Sequence, residues 1–486
     1  MSSVEPLEVL ILGAGFGGLG MGIALKKAGE RRFAILEKAA EVGGCWRENT
    51  YPGAACDVPS HLYSFSFEPK ADWSRRFAHQ AEILGYLKSC ALKYGLHDHL
   101  NFNAEAREAW FDENNQFWVV KDAKGGVWRA RHVVSAVGQL SRPLIPAIEG
   151  RSSFKGAVFH SAQWDHDTVI DGRRVVVIGT GASAIQFVPE VAKRAKSVTV
   201  FQRSGAWVIP KPDRAYGVVD NLVFSAAPLA QAISRAWTYV EHESRAIAFT
   251  QQPWILKLFE SRARAQMRKH IKDPLLLQKI EPDYALGCKR VLISNDWYPA
   301  LARANVDVVT EGVAHFEEHG VRDASGVLHE ADVVIYGTGF AATEFLSPMK
   351  ITGRRGMVLN EVWAKGAEAY LGMTVHGFPN FFMLYGPNTN LAHSSIVYML
   401  ESQIAHVMGA LRLKQRKGAS LIEVNADTQF GFNDRLQQRI SKSVWDSGCT
   451  SWYKNESGKN TNNWPGFTFE YRWKTKKPDT RHYSLS

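Results

Sequence analysis

A chain of 486 residues with 45% hydrophobic, 22% charged and 11% aromatic residues has material for two or three apolar cores and carries no low-complexity tract. Disordered, collagen-like and coiled-coil classes are thereby excluded. Lys and Arg number 58 against 48 Asp and Glu, a formal net charge of +10. These cations are spread out, with short runs only at 262–272 and 472–477, and no nucleic-acid motif accompanies them, so a solvated basic surface and no nucleic-acid partner are expected.

No apolar run approaches the roughly 18–20 residues a membrane-crossing helix needs, so no transmembrane segment is expected. The N-terminus, MSSVEPLEVLILGAG, has no basic start and no cleavage-like site, which argues against a signal peptide. Cys45, Cys56, Cys90, Cys288 and Cys449 are odd in number, and no two sit at C-x-x-C or C-x-x-x-x-C spacing. A disulfide scaffold, a zinc ribbon and a dithiol reductase are all disfavoured, and a reducing cytoplasm is the expected compartment.

Residues 9–12 (VLIL) read as a buried parallel strand, and residues 19–28 as a helix. Between them Gly13, Gly15 and Gly18 match G-x-G-x-x-G. One glycine makes the tight turn, one lets the backbone approach a pyrophosphate, and one lets helix and strand pack closely, with the helix N-terminus facing the anion. The next strand, residues 33–36, ends on Glu37, 24 positions after Gly13, where a carboxylate accepts hydrogen bonds from a free ribose diol. A glycine-rich surface turn is the competing reading, and an acid at that offset counts against it.

The pattern recurs. Residues 173–178 form a second buried strand, and Gly179-Thr180-Gly181-Ala182-Ser183-Ala184 matches G-x-G-x-x-A before a helix that carries Gln186 and runs to about residue 195. The following strand, residues 197–201, ends in Gln202-Arg203-Ser204, with Arg203 again 24 positions from the first glycine. An acid there would repel a ribose 2′-phosphate, whereas a guanidinium grips it, so this site is expected to prefer NADPH and the first a cofactor with a free ribose. A flavin at the first site, reduced by NADPH at the second, suits a chain with no evident cysteine relay.

Between the loops, Phe154, Gly156, His160, Trp164 and Asp165 match F-x-G-x-x-x-H-x-x-x-W-[PD] at every specified position. This segment resembles the fingerprint of type I Baeyer-Villiger monooxygenases, and its place between two glycine loops matches the family's order. Related enzymes that oxidise nitrogen and sulfur carry Tyr or Phe at the position of Trp164. The resemblance spans nearly the whole chain. Gly43-Gly44-Cys45-Trp46 and Tyr51-Pro52-Gly53-Ala54-Ala55-Cys56-Asp57 are similar to the segment beneath the isoalloxazine, which implies Gly44, Trp46, Asp57 and Tyr63 as flavin neighbours; Ala55 stands where some relatives have arginine. Cys288-Lys289-Arg290-Val291 is similar to the family's Lys-Arg pair, which implies Arg290 over the flavin as the main catalytic residue, Asp57 as its carboxylate partner, and Lys289 reaching the NADP phosphate. Residues 331–339, 377–380 and 385–388 resemble the return to the flavin domain, with Asn388 facing the ring. Trp452 resembles a mobile C-terminal tryptophan that closes over NADP.

The expected fold is α/β, two Rossmann-like dinucleotide-binding domains with a helical insertion. An FAD domain is expected from residues 1–145 and 380–486, an NADP domain from 150–215 and 285–380, and the insertion from 216–284. The insertion's amphipathic stretch, 255–271, suits either packing on the NADP domain, the favoured reading, or a membrane surface. The resemblance implies NADPH- and O2-dependent conversion of ketones to esters or lactones through a C4a-peroxyflavin. Its NADP contacts would be Thr180, Gly181, Ala182, Ser183, Ala184, Gln186, Arg203, Ser204, Lys289, Arg290 and Trp452. His160 and Trp164 are expected to couple domain motion to NADP binding, with a satisfied core histidine an equal alternative. No metal-ligand or hydrolase motif is present. An N- or S-oxidising flavin monooxygenase, and a non-catalytic NADPH/FAD sensor, are the alternatives.

Overall fold

The computed structural model describes residues 5–486. Residues 1–4, on which part of the signal-peptide reading rests, lie outside the described residues.

Two sheets organise the chain. In the first, Leu7–Leu12 lies parallel to Phe33–Leu36 on one side and to Val127–Ser135 on the other. Four consecutive strand residues, Val9 to Leu12, are essentially inaccessible to solvent, as expected of a strand covered on both faces, where apolar runs replace alternation. Ala106–Asp112, Phe117–Asp122 and Val127–Ser135 continue the sheet as an antiparallel meander, while Phe381–Met383 pairs in parallel with the second half of Val127–Ser135. The second sheet is parallel throughout, in the order Val306–Val309, Ser197–Phe201, Arg174–Ile178, Val333–Tyr336 and Ala157–His160.

Each glycine loop sits where a parallel strand turns into a helix, Leu7–Leu12 into Phe16–Lys27 in one sheet and Arg174–Ile178 into Ala184–Arg194 in the other. Helix Phe16–Lys27 packs Leu19 and Ile23 into a core with Phe65, Leu87, Ile404 and Val407. Helix Ala184–Arg194 buries Phe187, Val188 and Val191 with Trp164, Val200 and Ile335.

The chain rejoins the first body earlier than expected. Lys350–Thr352 pairs with Ala106–Asp112, Ile351 opposite Ala109, and Phe345, Met349, Leu359 and Trp363 share one core with Leu10, Leu12 and Trp118. The expected boundary at 380 therefore moves to about residue 345. A three-residue strand with no glycine loop beside it carries too little pattern to announce the crossing.

Residues 216–284 form the helices Val218–Ala226, Pro228–Ala246, Trp254–His270 and Pro274–Ile280, the middle two joined by a π-helical turn, Ile247–Gln251. No helix among the described residues is long and apolar enough to cross a membrane.

Candidate active site

Backbone geometry builds both loops. Gly13 has φ +101°, and a Cβ on it would lie 2.6 Å from the carbonyl oxygen of Ala136. A Cβ on Gly18 would collide with the Gly13 carbonyl. Gly15 opens helix Phe16–Lys27 with no side-chain cap, so the first-turn N–H groups are free to meet an anion. Glu37, 4% exposed, accepts from the backbone N–H of Ala14 at 2.8 Å and of Ala39 at 3.0 Å, and from Arg47 at 3.1 Å. The carboxylate thus braces the loop from the neighbouring strand end. Gly44 lies against this loop: a Cβ on it would be 3.1 Å from Cα of Gly15.

The second loop repeats the design. Gly179 has φ +104°, and a Cβ on it would lie 2.6 Å from the Gly337 carbonyl oxygen. Gly181 by contrast faces open space, its nearest neighbour being the Gly337 oxygen at 3.7 Å. Ser183 precedes helix Ala184–Arg194 and makes no side-chain cap.

A cavity of about 740 Å³ lies between the two bodies. Thr180, Gly181, Ala182 and Ser183 line one wall, Trp46, Asp57 and Tyr63 another, and Arg203, Ser204, Lys289, Arg290 and Trp452 also reach it. Trp46 donates its indole N–H to the Tyr63 hydroxyl at 3.2 Å, and the two rings meet edge to face at 5.6 Å.

Arg290 donates to Asp57 Oδ2 through Nε at 3.1 Å and through its second terminal nitrogen at closer range. Its remaining nitrogen, Nη1, has only a 3.5 Å contact to the carbonyl of Leu391. Burial opposes the Asp57 carboxylate, yet the Arg290 charge and hydrogen bonds, with Lys211 behind them, hold the carboxyl below its ordinary value. The Asp57 charge outweighs burial at Arg290 and raises its pKa. Both groups are therefore ionised across the physiological range.

Lys289 turns the other way. Its Nζ donates to Ser204 Oγ at 2.9 Å and sits 4.2 Å from the centre of the Tyr284 ring. Burial lowers its pKa, Asp283 opposing and nearby Arg203 reinforcing. Arg203 itself is exposed and makes no ion pair among the described residues. A guanidinium, a hydroxyl and an ammonium thus converge at the edge of the second loop, the donor set that a phosphate monoester demands.

The fingerprint residues Phe154, Gly156, His160, Trp164 and Asp165, and Asn388, lie off the cavity wall. Phe154 packs on Phe316, and Trp164 sits between Phe159 and Phe187, with neither on the cavity wall. Gly156 is forced, since a Cβ there would meet the Phe154 ring at 2.5 Å. His160, 1% exposed, accepts the Ala162 N–H at 3.1 Å, and burial keeps it neutral. Asp165 holds the next turn, accepting from the Asp167 N–H at 3.0 Å and the Thr168 hydroxyl at 2.6 Å. Asn388 is buried away from the cavity wall, and its amide holds the carbonyls of Asn460 and Asn463 at 2.9 and 3.2 Å. Tyr385 and Asn390, joined by a 2.7 Å hydrogen bond, line the cavity instead. The Tyr-Gly-Pro-Asn segment marks the region but ends on Asn388, two residues short of Asn390.

The cysteine reading is corrected in one respect. Cys288 and Cys449 form a disulfide with Cα atoms 6.2 Å apart. Their sequence separation of 161 hides the pair from any spacing rule. Cys45 and Cys56 line the cavity as free thiols, both pushed up by burial, Cys45 to about 12. They are therefore poor nucleophiles. Among the described residues no cluster suited to a metal ion occurs.

Comparison with known proteins agrees with this geometry. A family model described as pyridine nucleotide-disulphide oxidoreductase matches residues 10–223. A Baeyer-Villiger monooxygenase of Pseudomonas aeruginosa is 47% identical over 99% of this chain and 91% of its own. Another, from Streptomyces coelicolor, is 43% identical over 99% of this chain and 93% of its own. Among solved structures, an oxidised steroid monooxygenase bound to NADP superposes with a TM-score of 0.88 at 29% identity, covering 99% of both chains. With two strand–glycine loop–helix units in one chain, the second lining the cavity, and relatives of this identity over nearly its full length, the chain belongs to the Baeyer-Villiger monooxygenases.

Proposed function

We propose that this protein uses NADPH and O2 to insert one oxygen atom beside a ketone carbonyl, giving an ester or lactone. The observation that carries the reading is the Arg290–Asp57 ion pair on the wall of a cavity that the second glycine loop lines directly, and that Cys45 and Trp46 line just after Gly44, which packs on the first loop.

FAD fits the first loop. Gly13, Gly15 and Gly18 leave the close backbone approach a pyrophosphate needs, Glu37 is placed for a ribose diol, and Trp46, Asp57 and Tyr63 would stand beside the ring. NADP fits the second, with Arg203, Ser204 and Lys289 on its 2′-phosphate. The bound flavin would supply the oxygen chemistry and NADPH the hydride. The protein's own part is electrostatic. Arg290, ionised and fixed by Asp57, keeps Nη1 for negative charge developing on the attacking oxygen and on the ketone oxygen, a preorganised donor in a largely apolar cavity.

The fingerprint residues would act between the domains. Trp164 packs on Phe187, Phe187 meets Tyr51 at 6.0 Å, and His166 bonds the Thr50 hydroxyl at 2.8 Å. We place the protein in the cytoplasm, where NADPH is supplied, and the FAD and NADP domains on the first and second sheets.

The test is incubation of the FAD-loaded protein with NADPH, air and a panel of cyclic and steroidal ketones, with products identified by mass. An ester or lactone one oxygen heavier than the ketone is expected. NADPH oxidation yielding only hydrogen peroxide, or conversion of a thioether with no ketone converted, overturns the reading.

A further inference from the structure

The longest helix of the insertion, Pro228–Ala246, has its polarity inverted. Its inward face holds Gln231, Arg235, Thr238, His242 and Glu243 beside Tyr239 and Ala246, and its contacts there are mainly hydrogen bonds. Gln231 donates to the Lys70 carbonyl at 2.6 Å, Arg235 to the His61 carbonyl at 2.6 Å, and Glu243 accepts from the Thr468 hydroxyl at 2.6 Å. On the opposite face, at spacings of four, four and three, stand Leu229, Ile233, Trp237 and Val240, all exposed, Trp237 by 72%. An ordinary surface helix turns its apolar stripe inward and its charges out. Here the interior is satisfied by hydrogen bonds and the apolar stripe is left in water.

Neighbouring helices extend the feature. Val218–Ala226, beside it in the chain, exposes Val218, Val219, Leu222 and Val223. Trp254–His270 buries Leu256, Ala263 and Met267 and exposes Trp254, by 60%, with Leu258 one turn on. Flanking that second stripe are Lys257, Arg262, Arg268 and Lys269, all exposed. Among the described residues none of the four takes part in an ion pair, and the helix's one acid, Glu260, is half-buried and accepts from the Leu286 N–H at 3.1 Å.

We propose that the insertion docks this protein on an anionic bilayer surface. Exposed Trp and aliphatic side chains would sink to the depth of the headgroups, and the unpaired cations would meet lipid phosphates. That combination of apolar stripe, interfacial tryptophan and flanking Lys and Arg is the chemistry of a helix lying in the membrane plane. The charge pattern favours a bilayer over a second copy of the chain, because two such faces would bring eight unpaired cations together.

The experiment is flotation of the FAD-loaded full-length protein with vesicles of phosphatidylcholine alone and of phosphatidylcholine with phosphatidylglycerol, at low and high salt. Binding is expected to the anionic vesicles, weakening with salt. The double variant Trp237→Ser/Trp254→Ser should lose roughly tenfold or more in partitioning, since both indoles give up their apolar burial. Both positions are on the exposed side, so the variant's flavin content and melting temperature should match the parent and separate lost docking from lost folding. No binding to anionic vesicles, or binding that the double variant leaves unchanged, overturns the proposal. A concentration-dependent dimer abolished by the double variant, without vesicle binding, would assign the face to a second copy instead.

Discussion

Arg290 gives Asp57 two hydrogen bonds onto a single oxygen, Oδ2, and leaves its own Nη1 nearly unused. A guanidinium committed on one edge and available on the other can be aimed without being neutralised. Arg290→Ala should therefore retain FAD and lose oxygenation by on the order of 100-fold or more, the cost of removing one preorganised donor. Ester formed from a good ketone at the parental rate by Arg290→Ala would remove the role assigned to it.

The pH response of this pair follows from its directions. Asp57 is held below the ordinary carboxylate value and Arg290 above the ordinary arginine value. A depressed carboxyl contributes stability above its unfolded pKa, about 3.9, and loses it as pH falls through the lower folded value. The rate between pH 5 and 9 should thus show no limb from the pair. Asp57→Asn, which keeps the shape and removes the charge, should lower the rate by on the order of 100-fold through misplacement of Arg290. Stopped-flow measurement of the oxygenation step at several pH values would show both effects.

Cofactor choice should rest on Arg203 and Lys289. Arg203→Ala is expected to raise KM for NADPH by roughly 10- to 100-fold, the loss of charge-assisted hydrogen bonds, with KM for NADH little changed. Because burial lowers the Lys289 pKa, affinity for the 2′-phosphate should decline with rising pH before an ordinary lysine would titrate, as the ammonium is lost. Lys289→Arg, always charged, should abolish that alkaline limb. An identical limb in Lys289→Arg would reassign it to another group.

The glycines of the second loop should separate by function. Gly179→Ala meets both a positive φ and the Gly337 carbonyl and should destabilise the fold. Gly181→Ala, with open space before it, should fold and hold FAD normally and raise KM for NADPH, because its methyl occupies the path of the pyrophosphate. Thermal melting alongside NADPH titration tells the two apart; a destabilised Gly181→Ala would contradict the geometry.

The disulfide makes a prediction countable in thiols. Three free cysteines, Cys45, Cys56 and Cys90, remain, so denatured, unreduced protein should titrate as three thiols. Reduction, or Cys288→Ser with Cys449→Ser, should lower stability by about 2–4 kcal/mol, and dithiothreitol should then have no effect on the melting of the double variant. Five thiols without reductant would mean that the bond does not form.

What the sequence disclosed depended on range. The glycine loops, Glu37 and Arg203 were legible because each is fixed by a strand, a turn and a helix within 24 positions. Arg290 and Asp57 lie 233 apart, and only the resemblance joined them. Nothing local separates Asn388, bound to Asn460 and Asn463, from Asn390 on the cavity wall. The insertion was legible only as helical: the spacing of its apolar residues does not say which face turns inward, and in Pro228–Ala246 buried hydrogen bonds hold the polar side while an apolar stripe turns out.

One side chain spans the two bodies close to the reacting centre. Gln186, in the first turn after the second glycine loop, accepts from the Tyr51 hydroxyl at 3.0 Å and donates to the Ala55 carbonyl at 3.0 Å. Ala55 lies two residues before Asp57. A dinucleotide that draws in the start of this helix pulls, through one amide, on the carboxylate that aims Arg290. Any such coupling runs in both directions by thermodynamic necessity, so whatever fixes Asp57 must also tighten the grip on the nicotinamide cofactor. With a dinucleotide at the second loop, Gln186 would link its site to the segment that carries Asp57.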